Sequence, residues 1–142
     1  MPQADPAAEF DLLYAQGSEL FKAFPEYQFK TVTALLVIIG WLVTSESAQK
    51  FIAQHAGIAM PATFMACGVL VCFKFVWIGG HYARMRLLHD RLVALAPAKG
   101  LTAASVDCLR LGPMLPLTYL VVNVLLCSAT MVVVWLICHR VT

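Results

Sequence analysis

The chain has 142 residues, of which 61% are hydrophobic and only 13% charged, and its net charge is +2. A soluble globular domain has about 45–50% apolar and about 25% charged residues, so this composition excludes an ordinary soluble domain. The small net charge argues against a nucleic-acid partner, and five cysteines, an odd number found mostly in apolar runs, do not indicate a disulfide framework.

Residues 1–24 are predicted to form a short tail and an amphipathic helix. The tail is expected to be irregular up to Ala8, whereas apolar residues recur at helical spacing from Glu9 to Phe24. The opposite face of this helix is acidic, which favours packing against protein over adsorption on anionic lipid. We expect no secretory signal peptide, because acidic and polar groups occupy the positions that an apolar segment would need.

The first transmembrane span is predicted over about 28–47, in a helix that begins at Pro25. Its uncharged part is short for a full crossing, about 22 Å at 1.5 Å per residue. Two continuations are compatible with the sequence. Either the same helix extends to Gln54, or Ser45 caps a separate interfacial helix, and in both cases Gly57 ends the helix.

The second span is predicted over about 59–80, and a basic helical segment over 81–112 follows it. Within that segment Thr102 is a suitable N-cap for a short helix to Leu111. The third span is predicted over about 114–138, in a long run without a single charged side chain. About 20 apolar residues suffice to cross a hydrocarbon core of about 30 Å, so this span is the clearest of the three.

The distribution of Lys and Arg predicts the orientation of the spans. Seven of these residues fall on the side of the N-terminus and the second loop, and two fall on the other side. The positive-inside rule therefore predicts a cytoplasmic N-terminus and a C-terminus outside, and we expect a bacterial inner membrane. The predicted fold is an all-α integral membrane protein, with three transmembrane helices in one domain (25–142), the N-terminal amphipathic helix and a basic cytoplasmic segment.

Lys74 is the most conspicuous residue, since it lies between two phenylalanines inside the second span. A lysine stem can extend to the headgroups from this depth, so snorkelling competes with a buried cation that faces the helix bundle. Cys67, Lys74 and His81 share one helical face, which continues into the basic segment. The sequence predicts contact with anionic lipid or an acidic partner at Lys74, Trp77, His81, Arg84, Arg86 and Arg91.

Polar side chains also recur along the third span, where Tyr119, Asn123 and Thr130 are separated by helical intervals. Hydrogen bonds between helices explain such a pattern, and each contributes about 0.6 kcal/mol on average in membrane proteins. We predict interhelical polar contacts at these three residues. A polar pathway through a bundle is the alternative interpretation.

The sequence contains no recognisable catalytic or metal-binding motif, so we predict a protein that is not an enzyme and has no cofactor. The favoured function is an accessory subunit of a membrane complex, with lipids and other subunits or copies of itself as partners. One alternative is a homo-oligomeric pore or transporter built around Asn123 and Lys74. A further alternative is a redox protein that binds haem or copper at His55 and His139.

Overall fold

The computed structural model describes residues 5–140, which are helical almost throughout. The four α-helices are α1 (Pro6–Thr44), α2 (Glu46–Gln54), α3 (Ala56–Leu95) and α4 (Met114–Arg140). Two 3₁₀ helices, Ala96–Lys99 and Ala103–Leu109, connect α3 to α4. In the described part of the chain three helices are long and apolar enough to cross a membrane. The prediction of an all-α chain with three membrane-length helices is therefore confirmed.

The N-terminal helix begins earlier than predicted. Residues 1–4 of the predicted tail lie outside the described residues, but the chain from Pro6 to Ala8 is helical instead of irregular. Asp5 explains the early start, because its Oδ1 accepts a hydrogen bond from the Ala7 N–H at 3.0 Å and caps the helix. A proline at the first helical position has no N–H to leave unpaired, and its fixed φ suits a helix.

Pro25 does not begin a new helix, so that prediction is wrong. α1 runs through Pro25 without a boundary, although an interior proline removes a backbone hydrogen bond and costs about 3 kcal/mol. Phe24 is completely buried next to it, and burial of a phenylalanine side chain contributes about 1.5–3 kcal/mol. Packing of this kind offsets the local preference of proline for a helix start.

Of the two continuations after the first span, the structure contains the separate short helix. Ser45 has extended backbone angles, φ −91° and ψ 106°, and its Oγ accepts a hydrogen bond from the Ala48 N–H at 3.3 Å. The Gln49 side chain donates to the carbonyls of Leu42 (3.1 Å) and Val43 (2.7 Å). These bonds satisfy carbonyls that the end of α1 leaves without an intrahelical partner, so the break at Ser45 is well capped at both sides.

Gly57 does not end α2, which corrects the predicted helix stop. The helix ends at Gln54, and the N–H of His55 donates to the carbonyls of Phe51 and Ile52, both at 3.2 Å. α3 starts at the next residue. The backbone N–H of His55 closes the last turn of α2, so the helix ends here without a glycine.

The second predicted span and the start of the basic segment form one continuous helix, α3. The predicted short helix from Thr102 to Leu111 is instead the 3₁₀ helix Ala103–Leu109. Thr102 is at its N-cap position but does not cap it with its side chain, because its hydroxyl pairs with the Ser105 hydroxyl at 3.2 Å. Gly100 precedes this helix with φ 66°, a left-handed conformation that glycine adopts without strain.

The described residues divide into two compact units. Unit 1 contains the described residues up to Tyr27 together with Ile78–Pro116. Buried residues recur at intervals of seven on both long helices: Phe10, Gly17 and Phe24 on α1, and Ile78, Met85 and Leu92 on α3. A seven-residue repeat corresponds to 3.5 residues per turn, the period of coiled-coil packing.

Unit 2 contains Gln28–Trp77 and the described residues from Leu117 onward. The same interval recurs in it, with buried residues at Gln28, Leu35 and Leu42 on α1, Cys67 and Lys74 on α3, and Asn123, Thr130 and Ile137 on α4. Four of these eight positions are apolar, as expected for long helices that pack together. The other four are polar, namely Gln28, Lys74, Asn123 and Thr130, and the first three form a polar core.

Candidate functional site

Gln28 and Asn123 form a completely buried amide pair in unit 2, each with 0% of its surface exposed. The Asn123 Nδ2 donates to the Tyr119 carbonyl at 2.7 Å and to the Gln28 Oε1 at 3.3 Å. A carbonyl oxygen only accepts hydrogen bonds, so Tyr119 determines which way the Asn123 amide points. Both N–H groups of Asn123 are therefore used, one within α4 and one toward α1.

Two atoms of this pair are buried without a hydrogen-bond partner among residues 5–140: the Gln28 Nε2 and the Asn123 Oδ1. An unpaired buried polar group costs about 1–3 kcal/mol, and such groups are uncommon in proteins. The pair thus offers one donor group and one acceptor in an otherwise apolar core. Water or a small polar molecule has the hydrogen-bonding capacity that these two atoms require.

Lys74 is buried in unit 2, with 5% of its surface exposed, and its Nζ donates to the Thr31 Oγ1 at 2.6 Å. The same nitrogen lies 5.4 Å from the centre of the Trp77 ring, within range of a cation–π contact. Of the two conformations that the sequence allowed, the structure has the cation facing the helices. Thr31 follows Gln28 by one turn of α1, so the cation and the amide pair occupy neighbouring layers of the core.

Thr130 and Tyr119, predicted with Asn123 to make interhelical contacts, play different parts. The buried Thr130 hydroxyl donates to the Leu126 carbonyl of its own helix at 2.9 Å. The contribution of Tyr119 to the amide pair is its backbone carbonyl. The Asn123 side chain donates to the Gln28 side chain of another helix.

Sequence reasoning missed Gln28 and Thr31, the partners of Asn123 and Lys74. Both lie where the first span was predicted to begin, a position at which polar residues usually face headgroups. A usable signal was present, because Gln28 falls seven residues before Leu35 and fourteen before Leu42. That interval indicates a shared buried face.

His81 is buried in unit 1, where its Nε2 lies 3.2 Å from the Leu20 carbonyl. Because a carbonyl only accepts, this nitrogen must carry the proton. The His81 ring also stacks on the ring of Phe24, with 4.8 Å between the ring centres. These contacts link α3 to α1 and engage the imidazole in packing.

The predicted basic residues separate onto two different surfaces of unit 1. Arg84 and Arg91 border a shallow groove of about 300 Å³, which we call the leucine groove. Its floor is apolar and consists of Leu13 and Leu20 from α1 and Leu87 and Leu88 from α3. The two arginines are one heptad apart, so they lie on the same side of α3.

Arg86 instead lines a larger cleft of about 570 Å³ together with Arg110, which we call the arginine cleft. Its other polar residues are Tyr82, His89 and Asp90, and apolar side chains form the rest of its wall: Met85, Val93, Leu111 and Pro113. Arg110 entered the sequence interpretation only as a charge that orients the spans. Arg110 lines the same cleft as Arg86 because of the path that the 3₁₀ segment takes along α3.

The two histidines of the redox hypothesis each bond to a carbonyl of their own helical turn. The Nδ1 of His55 lies 2.9 Å from the Phe51 carbonyl, and the Nδ1 of His139 lies 2.8 Å from the Trp135 carbonyl. These bonds assign the proton to Nδ1 and leave Nε2 as the potential metal ligand. Haem or copper binding by His55 and His139 stays a prediction.

Comparisons of the sequence and the structure with protein-family models, curated proteins and solved structures each find no match. A function for this chain must therefore follow from the chemistry of its own residues.

Proposed function

We propose that this protein is a non-catalytic integral membrane protein that acts as an accessory subunit of a membrane complex, and that a partner subunit docks in the leucine groove. One observation carries the proposal. The exposed side chains of Arg84 and Arg91 flank an apolar floor, and in residues 5–140 neither guanidinium makes a hydrogen bond or an ion pair. Charged groups beside leucines that are partly or fully exposed are typical of a surface that another chain covers.

The spacing of the two arginines defines the chemistry of the partner. Seven residues of helix correspond to a rise of about 10 Å. A partner helix that lies along α3 matches this rise when two carboxylates are also one heptad apart, with apolar side chains between them to contact Leu87 and Leu88. Guanidinium groups bind carboxylates bidentately, which gives such an interface a defined register.

The proposed topology supports docking on the cytoplasmic side of a bacterial inner membrane. The leucine groove belongs to the stretch of chain that carries most of the Lys and Arg residues, and the positive-inside rule assigns that stretch to the cytoplasm. The partner segment that we propose is an acidic juxtamembrane helix of another subunit on that side. This placement makes the groove accessible to a partner in the same membrane.

Charge reversal at the groove tests the proposal. The full chain is extracted from membranes in mild detergent, with a photo-crosslinking amino acid in place of the exposed Leu87. We expect one subunit to co-purify at fixed stoichiometry, to crosslink through a segment with two carboxylates, and to be lost from the double variant Arg84→Glu, Arg91→Glu. Two repulsive contacts replace two attractive ones in that variant, so binding falls by more than about 100-fold.

The double variant Arg86→Gln, Arg110→Gln is the matched control, because it removes two charges from the other surface of unit 1. It should keep the subunit. Purification of wild type as a homo-oligomer without another chain, or equal loss in both double variants, contradicts docking in the leucine groove.

A second candidate function is a homo-oligomeric pore or transporter, and the polar core of unit 2 favours it. The unpaired atoms of Gln28 and Asn123 and the buried ammonium of Lys74 are suited to contact with water or ions inside a membrane domain. The same purification separates the two candidates, because a pore built from copies of this chain appears as a homo-oligomer.

A further inference from the structure

We propose that the arginine cleft of unit 1 binds the phosphodiester of an anionic phospholipid. This site is distinct from the leucine groove, because the two surfaces share no lining residue. The inference therefore stands whether or not a partner subunit occupies the groove.

The cleft brings together two guanidinium groups from distant parts of the sequence. Arg86 lies in the middle of the second half of α3, and Arg110 follows the second 3₁₀ helix. Both residues line the cleft, and among the described residues neither guanidinium makes a hydrogen bond or an ion pair. Planar guanidinium donors match the oxygens of a phosphate bidentately, and the Tyr82 hydroxyl is a further donor in the same cleft.

The net charge of the cleft is complementary to a ligand with a single negative charge. Asp90 also lines it, so the two arginine side chains and this carboxylate sum to +1. The Nδ1 of His89 lies 3.9 Å from the Asp90 Oδ1, and its Nε2 lies 3.3 Å from the Asp107 Oδ1. A phosphodiester with one negative charge and an uncharged headgroup, as in phosphatidylglycerol, is complementary to that sum.

The position of the cleft in the chain favours a lipid over a soluble phosphate. Its first lining residue, Tyr82, comes two residues after the predicted end of the second span, and its last, Pro113, directly precedes α4. Lipid phosphates occupy this level of a membrane, just outside the hydrocarbon core. The apolar wall of Met85, Leu111 and Pro113 suits the glycerol and the first carbons of acyl chains, which inorganic phosphate lacks.

Binding of phosphatidylglycerol to the delipidated full chain in detergent tests the inference, with native mass spectrometry as the readout. We expect a one-to-one adduct whose Kd rises at least about tenfold in the double variant Arg86→Gln, Arg110→Gln, since two charge-assisted contacts are lost. The matched double variant Arg84→Gln, Arg91→Gln should stay within about twofold of wild type, because its charges border the other surface.

Two further variants separate recognition from simple loss of structure. The double variant Arg86→Lys, Arg110→Lys keeps both positive charges but loses the planar guanidinium groups that bind a phosphate bidentately. It should bind phosphatidylglycerol with intermediate affinity. Asp90→Asn removes the negative charge and should tighten binding by about twofold to fivefold at low salt. Circular dichroism checks that each variant keeps its helicity.

Competition distinguishes the sources of the phosphate. Millimolar inorganic phosphate should leave the lipid adduct in place, and phosphatidylcholine should bind more weakly because its ammonium cancels the charge of its phosphate. Displacement by inorganic phosphate, equal binding of phosphatidylcholine, weaker binding after Asp90→Asn, or unchanged binding in the Arg86→Gln, Arg110→Gln variant would each overturn the inference.

Discussion

At the scale of single residues, Gln28 and Asn123 differ most from what a membrane span normally contains. Each is completely buried, and each holds one polar atom without a partner. Removal of one member leaves the other amide buried with even fewer bonds, whereas removal of both leaves an apolar contact. The effects of substituting Gln28 and Asn123 on the free energy of unfolding should therefore be strongly non-additive.

We expect Asn123→Leu to lower the free energy of unfolding by about 1 kcal/mol or more, because Gln28 Oε1 also loses its donor. The double variant Gln28→Leu, Asn123→Leu should be less destabilised than the sum of the two single variants. Denaturant titration in detergent, followed by helicity, measures all three free energies. Additive effects would show that the two amides are not coupled.

Lys74 and Asn123 were identifiable from the sequence because a cation or an amide inside an apolar run is conspicuous. Their partners were not identifiable in the same way. Thr31 and Gln28 stand at the polar edge of the first span, where such residues are ordinary. Which of them faces α3 or α4 depends on the rotation of α1, and that rotation is a property of the packed unit.

At the scale of secondary-structure elements, Gly17 marks a close approach between α1 and its neighbours in unit 1. A Cβ at this position would lie 2.7 Å from the Leu88 Cδ2 and 3.3 Å from the Leu109 Cδ1. Gly40 lies in the same helix, but nothing in the structure is within 4 Å of a Cβ there. The two glycines thus form a matched pair that differs in packing.

We expect Gly17→Leu to destabilise the protein by about 1–3 kcal/mol, since a whole side chain must enter a filled space. Gly40→Leu should be neutral or stabilising by up to about 1 kcal/mol, because leucine is a better helix former than glycine. Thermal unfolding in detergent compares the two variants with wild type. Equal destabilisation at both positions would contradict a close contact at Gly17.

Element boundaries show where local sequence signals are sufficient. Ser45 ends α1 as one of the two sequence interpretations predicted, because its side chain caps the next helix through a bond only three residues away. Pro25 was predicted to begin a helix, and in the structure it lies in the interior of α1. Its local preference costs a few kcal/mol at most, which the burial of side chains such as Phe24 can offset.

At the scale of the whole molecule, three helices are long and apolar enough to cross a membrane, and the proposed topology with three crossings puts the two ends of the chain on opposite sides. The excess of Lys and Arg near the N-terminal end of the first span and in residues 81–112 predicts which side is the cytoplasm. The number of Lys and Arg residues in short loops orients the spans. This number is a property of the sequence, so the packing of unit 1 does not change it.

We expect alkaline phosphatase, which is active only outside the cytoplasm, to be active when fused after the last residue. The same enzyme fused after Lys99 should be inactive, and a green fluorescent protein at that site should fluoresce. Both reporters follow from a cytoplasmic N-terminus and three crossings. The opposite pattern would reverse the orientation and place the arginine cleft on the outer face.

The sequence by itself determined that this chain is helical, that three of its helices are long and apolar enough to cross a membrane, and that Lys74 and Asn123 are exceptional within them. Composition and periodicity carry this information because they are summed over many residues. Only the tertiary structure decided that Gln28 pairs with Asn123, and that Arg86 and Arg110 share a cleft while Arg84 and Arg91 border a groove. The pairs Gln28–Asn123 and Arg86–Arg110 join residues that are tens of positions apart, and the groove beside Arg84 and Arg91 needs leucines from α1. These arrangements depend on helix rotation and loop path, which no local pattern specifies.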